Sequence, residues 1–486
     1  MTDAEKIAHL EAQVAVLSQA LAEAMSLVEQ LRVRVAELEA QVGQDSHNSH
    51  WPSSRDKGRR QKKTRSLRQA SGKQAGGQAG HAGQTLKLVA TPEQVVVHWP
   101  VVCTGCGGAL AGAAGEQPVV LAAERRQVFD VPPVQLAATE HRLGCVTCPA
   151  CGGTTQGAFP AEVSRPVQYG PRVKAFSVYL HQQQLLPLKR LCELLREWWQ
   201  APLSPGSVVS WVRQAAAQAA PQVERIKAGL RQAPVVHCDE TGHYIGGRRV
   251  WLHVAATSAL TCYRPHAVRG GQGISALGIL PGYQGVAVHD GFASYGRYDC
   301  RHALCNVHHL RELTAVHEQF HQPWAAEFKT FLCELKAEVE QARSTQATAL
   351  PPHRRAAIAL RYQQLLTAAY AANAPPPTGW PTGKRGRPRQ PKPLNLAQRL
   401  DRHRAQVLAF VADFQVPFDN NLVERDIRMV KVQQKISGCF RSWQGAHAAA
   451  TLRSYLSTLS KQGHPASRIL LNLFAGHVLV PLTQPE

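Results

Sequence analysis

Ile7, Val14, Leu21, Val28, Val35 and Val42 recur every seven residues, and Leu10, Leu17, Ala24, Leu31 and Leu38 follow the first five at a spacing of three. Apolar positions in that rhythm form a seam on one side of a helix. β-Branched residues at a with Leu at d favour a parallel two-stranded coiled coil. The pattern predicts a helical segment over residues 1–44 and a homo-oligomer formed through it, while the mixed charges at e and g leave partner and orientation open. After Gly43 the apolar period stops. Residues 45–94 are a basic linker rich in Gly and Ser, a composition unable to bury a core.

Residues 95–164 carry two turns of one type, Cys103-Thr-Gly-Cys106-Gly-Gly and Cys148-Pro-Ala-Cys151-Gly-Gly. Paired Cys-x-x-Cys turns of this spacing read as one structural zinc site with four thiolate ligands, Cys103, Cys106, Cys148 and Cys151. Arg125 to Pro132 reads as strand, as in a zinc-binding ribbon. Cys145 also makes a Cys-x-x-Cys with Cys148, but only Cys148/Cys151 has the following glycine, so Cys145 is taken as a non-ligand. Residues 165–232 read as helical. Leu185, Leu188, Leu191, Leu194 and Leu195 mark one face, and Ser204-Pro205 has the form of an N-cap followed by Pro at the first helical position. This pair is a candidate helix-turn-helix presenting Ser207, Ser210 and Arg213, with plain core packing as the bland reading.

The pattern changes at residue 233. Pro234 to Thr241 reads as a buried strand ending in acids, with further strands at Tyr244-Ile245 and Arg249 to Ala255; Gly285 to Asp290 is a second buried strand ending in Asp290 at a glycine turn. Asp419-Asn420-Asn421 suits a helix start, which puts Glu424 in the first turns with Ile427, Arg428 and Lys431 along its face. Asp239, Asp290 and Glu424 are then three carboxylates at three elements, the donor set of a two-metal phosphoryl-transfer site. Hard oxygen ligands suit two Mg²⁺ (or Mn²⁺) ions. Arg425, Arg428 and Lys431 are candidate contacts to a phosphate strand. Cys305 and His308, in Cys-Asn-Val-His, are weak candidates at the site's edge, two buried side chains being the bland reading. Asp290 and Glu424 lie 134 positions apart, which implies an insertion at about 315–404, helical and broken at Pro351-Pro352. Its Gly383-Lys-Arg385-Gly-Arg387-Pro-Arg389 segment resembles an AT-hook, in which Arg385 and Arg387 would enter a narrow minor groove; a basic linker touching only phosphates is the alternative.

Several of these blocks together resemble the insertion-sequence-66 family of bacterial DDE transposases. They are Asp239-Glu-Thr241, Asp290-Gly-Phe-Ala-Ser-Tyr295, Cys305-Asn-Val-His308, Asp419-Asn-Asn-Leu-Val-Glu424-Arg425 and Arg428 to Gly438. Asn306-Val307 departs from the Trp-Ala usual there. The resemblance implies a ribonuclease-H-like α/β catalytic core over 233–486, the triad Asp239, Asp290 and Glu424, and joining as well as cutting of DNA at the ends of an insertion sequence. The element's ends and a target are then the DNA partners, and helper proteins encoded by the same element are candidate partners whose need the sequence leaves open.

Charge sharpens the picture. Of the net +21, Arg55 to Lys73 holds nine Lys/Arg against one acid and Lys384 to Lys392 holds five with none. Such clustering is an electrostatic footprint for a polyanion, with Arg59, Arg60, Lys62 and Lys63 as candidate DNA contacts. No long apolar run or secretory leader is legible, so the expectation is a cytoplasmic, nucleoid-associated bacterial protein with no membrane partner. The competing class is a zinc-containing DNA-binding regulator without catalysis, for which the three acids would have no use.

Overall fold

The computed structural model describes residues 3–42, 86–98, 101–109, 125–131, 135–375 and 390–483. Arg59, Arg60, Lys62, Lys63, Arg385 and Arg387 lie outside the described residues. The chain divides into two units, Arg65–Ala138 and the remainder.

In the smaller unit a bridge between Val102 and Ala109 closes the Cys103–Gly108 turn. The strand predicted from Arg125 does not form: Arg125–Val131 has no regular structure. Instead the Gln127 side-chain amide bonds both backbone groups of Val89, accepting from its N–H at 2.8 Å and donating to its carbonyl at 2.9 Å. Pro132 and Pro133, which follow directly, carry no N–H for a ladder.

The larger unit begins with α1 (Asp3–Val42), whose Ile7, Leu10, Val14, Leu17, Leu21, Leu31 and Leu38 are all exposed. A short hairpin, β1 (Cys145–Thr147) with β2 (Thr154–Gln156), frames the Cys148–Gly153 turn. Three helices follow: α2 (Pro171–Gln182), α3 (Leu188–Trp199) and α4 (Pro205–Gln232). The leucine face read from Leu185 onward thus spans a break. Leu185 sits between α2 and α3 at φ +61°, yet stays buried. Ser204 Oγ accepts from Ser207 N at 3.1 Å and caps α4, a contact of about 1 kcal/mol. Val208 and Val212 of α4 face the core, and Ser210 and Arg213 are exposed.

The central sheet is built from β3 (Val235–Ile245), β4 (Arg248–Ala256), β5 (Thr261–His266), then, after α5 (Gly271–Leu277), β6 (Val286–His289) and β7 (Arg301–Leu304). Its order is β5-β4-β3-β6-β7. β4 runs antiparallel to both β3 and β5, whereas β6 and β7 run parallel to β3. The strand carrying Asp239 does not end at the acids. Its pairing with β6 stops after His237↔Val288, but its pairing with β4 continues to Ile245↔Arg248, where Gly246 and Gly247 at positive φ make the hairpin.

After β7 come α6 (Asn306–Phe320), α7 (Pro323–Ser344), α8 (Pro352–Ala371), α9 (Lys392–Arg402) and the short α10 (Arg404–Val407) and α11 (Ala409–Ala412). They share a core of their own, with Leu313, Phe328, Leu332, Tyr362 and Leu400 fully buried. This helical insertion starts at Asn306, earlier than the sequence suggested. The chain returns to the sheet through Phe418, edge-on to Phe410 at 5.0 Å, and closes with α12 (Asn421–Ile436), α13 (Trp443–Lys461) and α14 (Ala466–Phe474).

Alternation along β3 sorts its side chains between two layers. Val236 and Cys238 join the core built with α2 to α5 and α14, whereas Val235 joins Val286, Val288 and Ala303 on the other face. On that second face Val423, Ile427 and Val430 of α12 pack against Leu252, Val254, Ala256 and Tyr263. Burying three such side chains stabilises the contact by roughly 1.5–3 kcal/mol each, which fixes where the first turn of α12 stands over the sheet.

Candidate active site

The parallel register lines up the chemistry. Two residues beyond His237↔Val288 are Asp239 and Asp290, and one residue beyond His289↔Leu304 are Asp290 and Cys305. Asp239, Asp290 and Cys305 therefore stand in one row across three adjacent strands, at the level where the parallel pairing ends. Side-chain alternation puts all three on the face covered by α12. Gly291, at φ +90°, turns the chain away immediately after Asp290. Asp290 Oδ1 accepts from Phe292 N at 2.8 Å, and Asp239 Oδ1 accepts from Glu240 N at 2.8 Å.

Glu424 enters from above, in the first turn of α12. The helix start is tied down by two residues of the Asp-Asn-Asn run. Asp419 Oδ1 accepts from Asn421 N at 3.0 Å. Asn420 does not cap with its side chain; its Nδ2 donates to the Cys238 carbonyl at 2.9 Å, its Oδ1 meets His237 Nδ1 at 2.8 Å, and its backbone N–H points to Cys305 Sγ at 3.2 Å. One buried asparagine thus locks the glutamate helix to the strand of Asp239 and to the end of β7.

The carboxylates feel one another. Burial, then Glu240, Asp290 and Glu424, push the Asp239 carboxyl well above its ordinary range. Burial likewise raises Glu424, opposed by the cations Arg311 and Arg428 and reinforced by Asp419 and Asp290. Like charges drawn together out of water disfavour ionisation, and a bound cation relieves that cost. Glu424 Oε1 is buried with no hydrogen bond among the described residues, and His308 Nε2 lies 4.0 Å from it.

Glu240 is not part of this cluster although it follows Asp239, because alternation turns it to the opposite face. Its fully buried carboxylate accepts from Tyr295 OH and from Arg269 Nε, both at 2.7 Å. Arg269 lies against Phe292 at 4.2 Å and Trp251 at 5.0 Å, and reaches Asp290 at 3.8 Å. Of the cations proposed from sequence, Arg428 acts on Glu424. Lys431 turns away, donating to the Gly242 carbonyl at 2.6 Å. Arg425 is exposed, one position round the helix from Glu424, and its place beside the glutamate is taken by Arg311 of α6. Sequence reading missed Arg311 and Arg269, and gave Tyr295 no role although it closes the Asp290–Tyr295 block. Asn420 was inside a recognised block, but no local signal gave its role.

The two cysteine turns have matching geometry, each within its own unit. Cys103 N donates to Gly108 O at 2.9 Å and Cys148 N to Gly153 O at 2.8 Å, with Gly107 and Gly152 at positive φ. Backbone N–H groups of Cys106 and Gly105 pull the Cys103 thiol below its ordinary pKa, and those of Ala150 and Cys151 do the same for Cys148.

Residues 166–448 match the family described as Transposase IS66 family, and residues 2–87 match a family of unknown function, DUF6444. No curated protein matches the chain. The matched span covers the helical region, the whole sheet, the insertion and α12, so the fold belongs to a transposase of the general DDE class. The chain is a member of the IS66 transposase family.

Proposed function

We propose that this transposase cuts DNA at the ends of an insertion sequence and joins the freed 3′ ends to a target, with Asp239, Asp290 and Glu424 as the metal-holding triad. The observation that carries the reading is the row of Asp239 and Asp290 on adjacent parallel strands beneath Glu424. The sheet order β5-β4-β3-β6-β7, with β6 and β7 parallel to β3, supports the reading of the sheet as a ribonuclease-H-like core. The donor set fits hard divalent ions: three carboxylates, two with raised pKa from mutual proximity and burial, and one buried oxygen of Glu424 without a hydrogen bond.

Two Mg²⁺ or Mn²⁺ ions at such a site activate the attacking oxygen and stabilise the leaving one. Asp239, Asp290 and Glu424 would hold these ions, with Asp239 the ligand they would share. Arg311 and Arg428 offset the charge around Glu424 and are placed to meet a phosphate strand. Arg269 keeps Asp290 aimed by bracing it against Glu240. Each cysteine turn offers two sulfur ligands, half of the four-thiolate set that a structural Zn²⁺ takes. The exposed seam of α1 supports pairing with a second copy. Arg59, Arg60, Lys62, Lys63, Arg385 and Arg387 supply the sequence-independent hold on DNA that Lys/Arg clusters give, which places the protein on the nucleoid.

A regulator without catalysis would have no need of the acid row, since zinc turns, coiled coil and basic segments already suffice for binding. The experiment is incubation of the purified protein with labelled DNA bearing the element's own ends, with and without Mg²⁺. End nicks and strand-transfer products that need the metal support the proposal. Binding without any product supports the regulator.

A further inference from the structure

Cys305 and His308 remain unused by this account, although they stand beside Glu424. The Cys305 thiol sulfur, an imidazole nitrogen of His308 and a Glu424 carboxylate oxygen all lie within 4.8 Å of one another, the one such group of Cys, His, Asp or Glu among the described residues. We propose that these three side chains form a second metal site, for a borderline-soft ion such as Zn²⁺, whose occupation draws Glu424 away from Asp239 and Asp290 and so holds the transposase inactive. The inhibitory half rests on the triad reading above; the binding half does not.

The donor set carries the choice of metal. Sulfur, imidazole nitrogen and carboxylate oxygen together suit Zn²⁺, whereas Mg²⁺ takes oxygen almost alone. Zinc with ligand bonds of about 2.0–2.3 Å has its ligand atoms roughly 3.3–3.8 Å apart, so the group needs to close by about 1 Å. The side chain able to make that movement is Glu424, whose buried Oε1 has no hydrogen bond among the described residues. Cys305 and His308 are fixed more firmly, at the N-cap and in the first turn of α6.

The Cys305 sulfur is held in place by two backbone contacts, receiving the N–H of Asn420 at 3.2 Å and that of His308. Burial, then Glu424, outweigh these two donors and raise the Cys305 thiol above its ordinary value, unlike Cys103 and Cys148, so the sulfur gives up its proton only to a metal that binds there. On binding, the S–H bond breaks heterolytically, its proton passes to solvent and the electron pair becomes the donor to the metal. His308 and Glu424 are only partly buried, which leaves an entry path and a fourth position for water. Because Cys305 stands next to Asp290 in the row, the soft site and the proposed Mg²⁺ site share one wall and compete for one glutamate.

The test is Co²⁺ titration of the full-length protein followed by sulfur-to-cobalt charge-transfer absorbance, alongside Cys305→Ser and His308→Ala, with circular dichroism confirming the fold of each. Wild type is expected to take up about one more equivalent than either variant, the difference spectrum showing the thiolate band. Excess Zn²⁺ should then depress Mg²⁺-dependent cleavage by about tenfold or more in wild type and far less in Cys305→Ser. Equal cobalt stoichiometry and identical spectra in all three proteins would overturn the site. Extra cobalt uptake with cleavage indifferent to Zn²⁺ would overturn the inhibitory role. Absence of cleavage with Mg²⁺ alone would count against the triad, while the cobalt difference would still decide the site.

Discussion

His237 Nδ1 and Asn420 Oδ1 lie 2.8 Å apart, joining the strand of Asp239 to the residue that starts the helix of Glu424. The same asparagine donates to the Cys238 carbonyl, so two of the three acids are held in register by one side chain. Asn420→Ala leaves a buried carbonyl and a buried imidazole without their partner, at a cost on the order of 1–3 kcal/mol. Cleavage should fall far more than that loss of folded protein explains, with DNA binding retained. Urea unfolding and single-turnover cleavage of the same preparation check it; a variant that is less stable but fully active would show Asn420 to be structural only.

Arg269 is expected to act as a positioning residue. Arg269→Gln removes the cation braced between fully buried Glu240 and Asp290. The guanidinium is itself well exposed, so the stability cost should be modest, about 1–2 kcal/mol. Metal activation should move more, since Asp290 loses its brace: a Mg²⁺ titration of cleavage should shift to higher concentration, and Arg269→Lys should recover part of the shift. An unchanged Mg²⁺ curve in Arg269→Gln would remove this role.

Acid should weaken the fold through His309. Burial holds its imidazole down to about 3, against an ordinary 6.5. In the unfolded chain it takes a proton below about pH 6.5, whereas the folded protein keeps it neutral, so its contribution to stability falls as pH falls. At pH 5 the cost is about 2 kcal/mol. Raised carboxyls such as Glu240 push the other way, and the comparison of wild type with His309→Gln isolates the histidine. The variant should lose about 2 kcal/mol less between pH 7.5 and pH 5. Parallel pH profiles would contradict the assignment.

The seam of α1 should dimerise. A chain with Leu31 and Leu38 both changed to Asp should sediment as a smaller species than wild type in analytical ultracentrifugation, because two charges at d positions cannot be buried between helices. Identical sedimentation would place the dimer contact elsewhere or remove it.

How far the site could be read from sequence follows from how each part is encoded. Asp290 and Glu424 were legible because local signals mark them, a glycine turn after a buried strand and an Asp-Asn helix start. Asp239 was found, but β3 does not end there: the strand continues six residues to the Gly246-Gly247 turn, and only pairing with β6, a long-range fact, marks the level of the acid row. Glu240 looked equivalent to Asp239 in the sequence, and alternation separates them onto two faces. Arg269 and Arg311 carry no motif and meet the acids only through the fold, and Tyr295, though it closes the Asp290–Tyr295 block, has no local signal for its bond to Glu240. Arg425, read from sequence as a phosphate contact, is exposed one step round the helix from Glu424, a position that leaves it open to DNA.

The central claim is that Asp239, Asp290 and Glu424 act together on DNA phosphodiesters. The most direct measurement is Mg²⁺-dependent cleavage of labelled element-end DNA by Asp239→Asn, Asp290→Asn and Glu424→Gln, each paired with a gel-shift assay on the same DNA. The account predicts that every one of the three loses cleavage while the DNA shift persists, since an amide is a poor ligand for a hard cation yet nearly the same shape. Cleavage near the wild-type rate by any of the three would contradict it.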